Sequence, residues 1–194
     1  PWQSIAWNWG LKPRAGEGSV SRVRRRHPRG RLFNREGGLT VRSVTEECRP
    51  DLILAGLKGR TREEVLRELA SCLVRAGIVK EEDLLVEALL AREDLGSTGV
   101  GDGVAIPHAR VPAIDHPVLV VGRSTQGVDF KSLDGKPADL FFLILTPDGK
   151  TGEHLQALAQ ISRLLRRAAL REALRRADSA ESILKVLKES SEEG

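Results

Sequence analysis

Two uninterrupted apolar runs, Val118–Gly122 (V-L-V-V-G) and Leu140–Leu145 (L-F-F-L-I-L), constrain this chain more than any other feature. A strand with one solvated face alternates polar and apolar residues, and these runs do not. Strand-length segments that are apolar at every position suit central strands covered on both faces. Leu133-Asp134-Gly135-Lys136-Pro137 supplies a turn between them. The covering layers are legible too. Thr61-Arg62-Glu63-Glu64 is a capping box, after which Val65, Leu66, Leu69, Cys72 and Leu73 fall on one helical face and Gly77 supplies a stop. Glu81–Glu93 reads as a second amphipathic helix, with Leu85, Ala88, Leu89 and Arg92 towards one side. His154–Arg166 carries Leu155, Leu158, Ile161, Leu164 and Leu165 at helical spacing, and shorter helices are expected over 168–176 and 179–188. Helices, then strands, then helices give an α/β or α+β sandwich without internal repeats.

Charge divides the 194 residues unevenly. Residues 1–38 hold nine Lys/Arg against Glu17 and Glu36, whereas 39–194 hold 22 basic and 25 acidic residues. The expected organisation is a basic, flexible N-terminal extension over 1–38, punctuated by Gly and Pro, and one globular domain over 39–190. Ser21–Arg31 could neutralise phosphates as a nucleic-acid arm. Because basic tails are common, an extension without that role is the preferred reading, and nucleic acid is not expected as a partner. No run approaches the roughly 20 apolar residues of a membrane span, and the first residues have no signal-peptide h-region. Two cysteines make no disulfide framework, so a reducing cytoplasm is the expected location.

The segment G-S-T-G-V-G-D-G-V-A-I-P-H-A-R, ending at Arg110, is where chemistry is expected. A Walker-type loop would need Lys-Ser/Thr after its glycines, and a dinucleotide fingerprint would need a strand before the loop and a helix after it. The remaining option is a loop whose backbone N–H groups approach a phosphoryl group carried by His108, which Pro107 places in the loop. A neutral imidazole has one nucleophilic nitrogen, and phosphoryl transfer asks for little beyond positioning and charge. Arg92, sixteen positions earlier, and His154, at the start of a helix, could supply hydrogen bonds or charge. His116 reads as an edge-loop residue. His108, His116 and His154 lack zinc-site spacing, so neither metal nor cofactor is expected.

The motif A-R-E-D-L-G-S-T-G-V-G-D-G-V-A-I-P-H-A-R resembles the phosphorylation site of the type 2 IIA domains of the phosphoenolpyruvate-dependent sugar phosphotransferase system, the fructose/mannitol class. V-D-F-K-S-L-D-G-K-P-A-D-L-F-F-L-I-L-T-P and E-H-L-Q-A-L-A-Q-I-S-R-L-L are similar to the same family, over about Thr40–Lys188 in all. The resemblance implies a single three-layer α/β sandwich, a mixed sheet with helices on both faces. It implies that His108 accepts a phosphoryl group from phospho-HPr and passes it to a cysteine of a IIB domain, which serves a membrane IIC component. It assigns His154 to stabilising the phosphoryl group and Arg92 to binding it. One departure is Ala109, where the family often has glycine. The V-D-F-K-S-L-D-G-K-P stretch leans towards fructose-type uptake; the absence of IIB and HPr segments from these residues leans towards the nitrogen-regulatory branch, which carries the same histidine.

Overall fold

The computed structural model describes residues 48–192, so the basic extension over 1–38 and the expected start of the domain at 39 lie outside the described residues. Elements are numbered in chain order. A single 3-10 turn, Pro50–Leu52, leads into β1 (Ile53–Leu54), followed by α1 (Arg62–Arg75) and α2 (Glu82–Asp94). Four further short or long strands precede the last one: β2 (Gly99–Gly101), β3 (Val104–Ala105), β4 (His108–Val111) and β5 (Val118–Val128), then β6 (Ala138–Pro147). Three helices, α3 (Thr151–Leu165), α4 (Ala168–Arg176) and α5 (Ala180–Glu192), close the described chain.

The two apolar runs became the central antiparallel pair, β5 and β6, with Leu119 opposite Ile144 and Val121 opposite Phe142. Both strands extend beyond the runs, β5 through the polar Arg123–Gln126 and β6 out to Thr146 and Pro147. A register shift between Arg123 and Val128 lets β5 carry that polar stretch. Around the pair the order is β1-β5-β6-β3-β2, with β4 also pairing with β6. β1 runs parallel to β5, β3 and β4 run parallel to β6, and β2 is antiparallel to β3. The sheet is therefore mixed, as expected.

Successive side chains point to opposite faces, and both faces are buried. Leu119, Val121, Leu140, Phe142 and Ile144 join a core with Ala157, Ile161 and Leu165 of α3, Leu170 and Leu174 of α4, and Ile183 and Leu187 of α5. The intervening Val120, Phe141, Leu143 and Leu145 are buried beneath α1 and α2, whose Leu66, Leu69, Leu73, Leu85 and Leu89 are 0–1% exposed. All five residues assigned to the inner face of α1 are buried; in α2 the inner face holds Val86 in place of Ala88.

The ends of α1 are fixed by the chemistry the sequence displays. Thr61 Oγ1 accepts from the Glu64 amide at 3.2 Å, and the Glu64 carboxylate accepts from the Thr61 amide at 3.0 Å. At the other end the Gly77 and Ile78 amides donate to the carbonyls of Val74 and Leu73, a Schellman closure with Gly77 at φ +69°. Replacing Thr61 with Ala should cost about 1 kcal/mol of stability, read as a lower urea midpoint at unchanged m-value. Unchanged stability would mean the box is not holding the helix start.

Candidate functional site

His108 is not a loop residue. It is the first residue of β4, half-buried, with its Cα registered against Ile144 of β6. β3 and β4 are one interrupted strand along the same edge of β6. The break falls at Ile106-Pro107, where the Pro107 carbonyl still accepts from the Ile144 amide at 2.9 Å. Proline has no N–H to lose at such an edge. The outer neighbour β2 pairs with β3 only, so the other side of β4 is left to α2. Arg92, in the last turn of α2, reaches the imidazole from there.

The contacts fix the tautomer. Arg92 Nε donates to His108 Nε2 at 2.9 Å, and a guanidinium can only donate. Nε2 therefore carries the lone pair, and the ring proton sits on Nδ1, which donates to the Ile106 carbonyl at 2.9 Å. Burial pushes the His108 pKa below the usual imidazole value; the Ile106 carbonyl opposes this and the charges of Arg92 and Arg110 add to it. The ring is neutral at neutral pH, with one nitrogen available as a nucleophile.

His154 lies beside it, ring centroids 5.4 Å apart and planes tilted by 56°. It is the fourth residue of α3, not its opening residue, because the helix starts at Thr151. Only 7% exposed, it shares a 2.8 Å hydrogen bond between Nδ1 and the buried Thr146 hydroxyl of β6. Burial, then the neighbouring charges of His108, Arg110 and Arg92, push its pKa down to about 4. The two histidines, one from the edge strand and one from the helix after the central strand, form a neutral pair flanked by Arg92 and the exposed Arg110.

Three participants were not singled out from the sequence. Thr146 orients His154. Arg110, two residues beyond His108 on the same side of β4, depresses both imidazoles. Glu93, 3% exposed, accepts from the Thr98 amide at 3.0 Å and from its hydroxyl, closing the turn after α2. That turn presents the Gly96 carbonyl to Arg92 Nη1 at 2.9 Å, so the guanidinium is held at two points. The adjacency Arg92-Glu93 was visible; its meaning needed the turn. His116 is exposed in the loop before β5, bonded to Asp115 and apart from the pair.

The glycines do something different from what the sequence suggested. Their carbonyls tie the β2–β3 hairpin to its neighbours: the Gly99 carbonyl accepts from the Leu133 amide in the turn before β6, and the Gly103 carbonyl from the Asp139 and Leu140 amides of β6. A Cβ on Gly99 would lie 2.9 Å from Ser132 Cα, and one on Gly103, at φ +77°, would collide with Arg175 Nη2 and lie 2.6 Å from Asp139 Oδ1. These glycines admit close neighbours behind the hairpin; only Gly96 contacts the histidine pair, through Arg92.

The chain belongs to the family described as "Phosphoenolpyruvate-dependent sugar phosphotransferase system, EIIA 2", whose sequence model matches residues 47–190. It is 38% identical over 144 residues to the "PTS system fructose-specific EIIABC component" of Bacillus subtilis (strain 168), covering 74% of this chain and 23% of that one. The chain thus spans about a quarter of that relative. It is 40% identical to a "Nitrogen regulatory protein" of Bradyrhizobium diazoefficiens over 74% of this chain and 94% of that one. Among solved structures, the nitrogen regulatory protein IIA-Ntr of Neisseria meningitidis superposes with a TM-score of 0.69 at 33% identity, covering 74% of this chain and 98% of that one. The Escherichia coli IIAMTL in complex with phosphorylated IIBMTL gives 0.63 at 27% identity, over 74% and 98%. The fold is that of IIA domains, and the chain is a member of a phosphotransfer family. No described helix is long and apolar enough to cross a membrane.

The depressed imidazole sets a pH dependence of stability. A histidine at about 4 in the folded state and about 6.5 when unfolded binds more protons unfolded between those values. Its contribution is present above about pH 6.5 and is lost as pH falls towards 4, up to about 3 kcal/mol. Urea unfolding of wild type and His154→Gln at pH 7.5, 5.5 and 4.5 should show a shallower decline in the variant. Parallel declines would place the proton uptake elsewhere.

Proposed function

We propose that the protein is a phosphocarrier that accepts a phosphoryl group on His108 Nε2 from the phosphohistidine of HPr and passes it to a cysteine of a IIB domain. The observation that carries this reading is the neutral imidazole whose one basic lone pair, on Nε2, is held by the Arg92 guanidinium. In the step, the Nε2 lone pair attacks phosphorus and the N–P bond of the donor histidine breaks. Its electron pair returns to the donor imidazole, which becomes a neutral ring. The Nδ1–H bond to the Ile106 carbonyl stabilises the positive charge that the phosphorylated ring of His108 gains. Arg92 exchanges its bond to Nε2 for charge-assisted bonds to phosphoryl oxygens, a short displacement at a site already holding it. With the Thr146 hydroxyl donating to Nδ1, His154 presents Nε2–H to the same oxygens. Onward transfer repeats the exchange with a cysteine thiolate as nucleophile. No cofactor or metal takes part in these steps, and a cytoplasmic location suits the partners.

Fructose-type uptake is the first physiological reading, supported by the similarity to the fructose-specific Bacillus subtilis component. A regulatory role is the second, supported by the similarity to the Bradyrhizobium diazoefficiens protein along nearly all of its length. The membrane IIC component belongs to the first reading only. Intact-mass analysis after incubation with phosphoenolpyruvate, Enzyme I and HPr tests the chemistry. Wild type should gain one acid-labile phosphoryl group and His108→Ala none. Arg92→Ala should be phosphorylated about 10- to 100-fold more slowly, and His154→Ala should still accept but hand on slowly. An adduct that survives in His108→Ala would overturn the assignment. Transfer from the phosphorylated protein to a fructose-type IIB domain distinguishes the readings: rapid transfer supports uptake, and its absence supports regulation.

A further inference from the structure

Beside the histidine pair stands a cation that the resting protein leaves unused. Arg110 lies two residues beyond His108 on β4, roughly 7 Å along the strand, so both side chains leave the sheet on the same side. Ala109 and Val111, which alternate with them, are buried. The Cα of His108 is in register with Ile144, and that of Arg110 with Thr146, the residue whose hydroxyl holds His154. Arg110 therefore rises from the strand at the level where the two imidazoles meet, and its charge acts on both of them. It is exposed, and its side chain makes no hydrogen bond or ion pair among the described residues.

The other cations around the pair are committed. Arg92 spends Nε on His108 and Nη1 on the Gly96 carbonyl. Lys150, just before α3, is tied to the Asp115 carbonyl at 2.8 Å and to Glu153 at 3.1 Å. An arriving phosphoryl group brings three acceptor oxygens and up to about two negative charges. Arg92 offers one positive charge, whereas His154, neutral at neutral pH, offers a hydrogen bond and no charge. One charge and one oxygen are left for another ligand.

We propose that Arg110 is a third ligand of the phosphoryl group at His108, closing on its oxygens as the donor's N–P bond breaks and the bond to Nε2 forms. The proposal rests on the phosphocarrier reading and adds a catalytic residue to it. Because Arg110 is unengaged beforehand, it gives up no protein contact to bind the oxygens. A charge-assisted bond made only when the group arrives favours the transfer itself.

A donor without a protein separates this role from partner docking. Wild type, Arg110→Gln and Arg110→Lys are phosphorylated in parallel by phospho-HPr and by phosphoramidate, which releases ammonia as it gives up its phosphoryl group, and the adduct is followed by intact mass. Arg110→Gln should accept about tenfold more slowly from both donors. Arg110→Lys, which restores the charge without the planar fork, should fall between the two. The urea midpoints should coincide, since the position is exposed. Wild-type rates in Arg110→Gln would overturn the proposal. Slowing with phospho-HPr alone would also overturn it and make Arg110 a contact for the partner protein. A wild type that takes no phosphoryl group from either donor would remove the phosphocarrier reading, and the proposal with it.

Discussion

The hydrogen bond from Arg92 Nε to His108 Nε2 decides what this site can do. Because the guanidinium has no lone pair to offer, the imidazole must accept at Nε2 and keep its proton on Nδ1, where the Ile106 carbonyl receives it. Two backbone features make the arrangement possible. The interruption at Ile106-Pro107 turns the Ile106 carbonyl back to the ring two residues on, and the turn closed by Glu93 and Thr98 holds Arg92 through the Gly96 carbonyl. Positive charge thus stands beside a neutral imidazole, and burial together with Arg92 and Arg110 keeps it neutral. The same surroundings act more strongly on His154, so the cost of a second imidazole at this spot is that it stays uncharged until well below neutral pH.

Much of the fold was legible because local chemistry and burial agree. The capping box and Gly77 bound α1, and the runs at Val118–Gly122 and Leu140–Leu145 read as strands covered on both faces. What escaped depended on tertiary pairing. β4 is four residues long, and its alternation of polar His108 and Arg110 with apolar Ala109 and Val111 is too short to mark a strand by itself; it is a strand because β6 extends to Pro147 and offers it an edge. The α3 start was placed late because Lys150 gives no side-chain cap and only Glu153 marks its first turn. The polar half of β5 carried no strand period at all.

The site shows the same division. His108, Arg92 and His154 were named from a motif and its resemblance to a family, and the structure brings the three together from β4, α2 and α3. Thr146 and Glu93 were not named, because a threonine ending a strand and a glutamate ending a helix look ordinary in sequence; their partners, His154 and Thr98, are set by packing. The glycines were conspicuous and their function was misjudged. Gly99 and Gly103 are required by Ser132, Arg175 and Asp139, which press against the back of the hairpin, and these contacts join residues 33 or more positions apart.

The central claim is that His108 is held as the neutral Nδ1–H tautomer with Nε2 as its reactive nitrogen. Long-range 1H–15N correlation of the labelled imidazole rings at neutral pH, before and after phosphorylation, tests it directly. The account predicts a pyrrole-type Nδ1 and a pyridine-type Nε2 in the free protein, with phosphorus coupling appearing at Nε2 afterwards. A protonated Nε2 in the free protein, or phosphorus coupled to Nδ1, would contradict it.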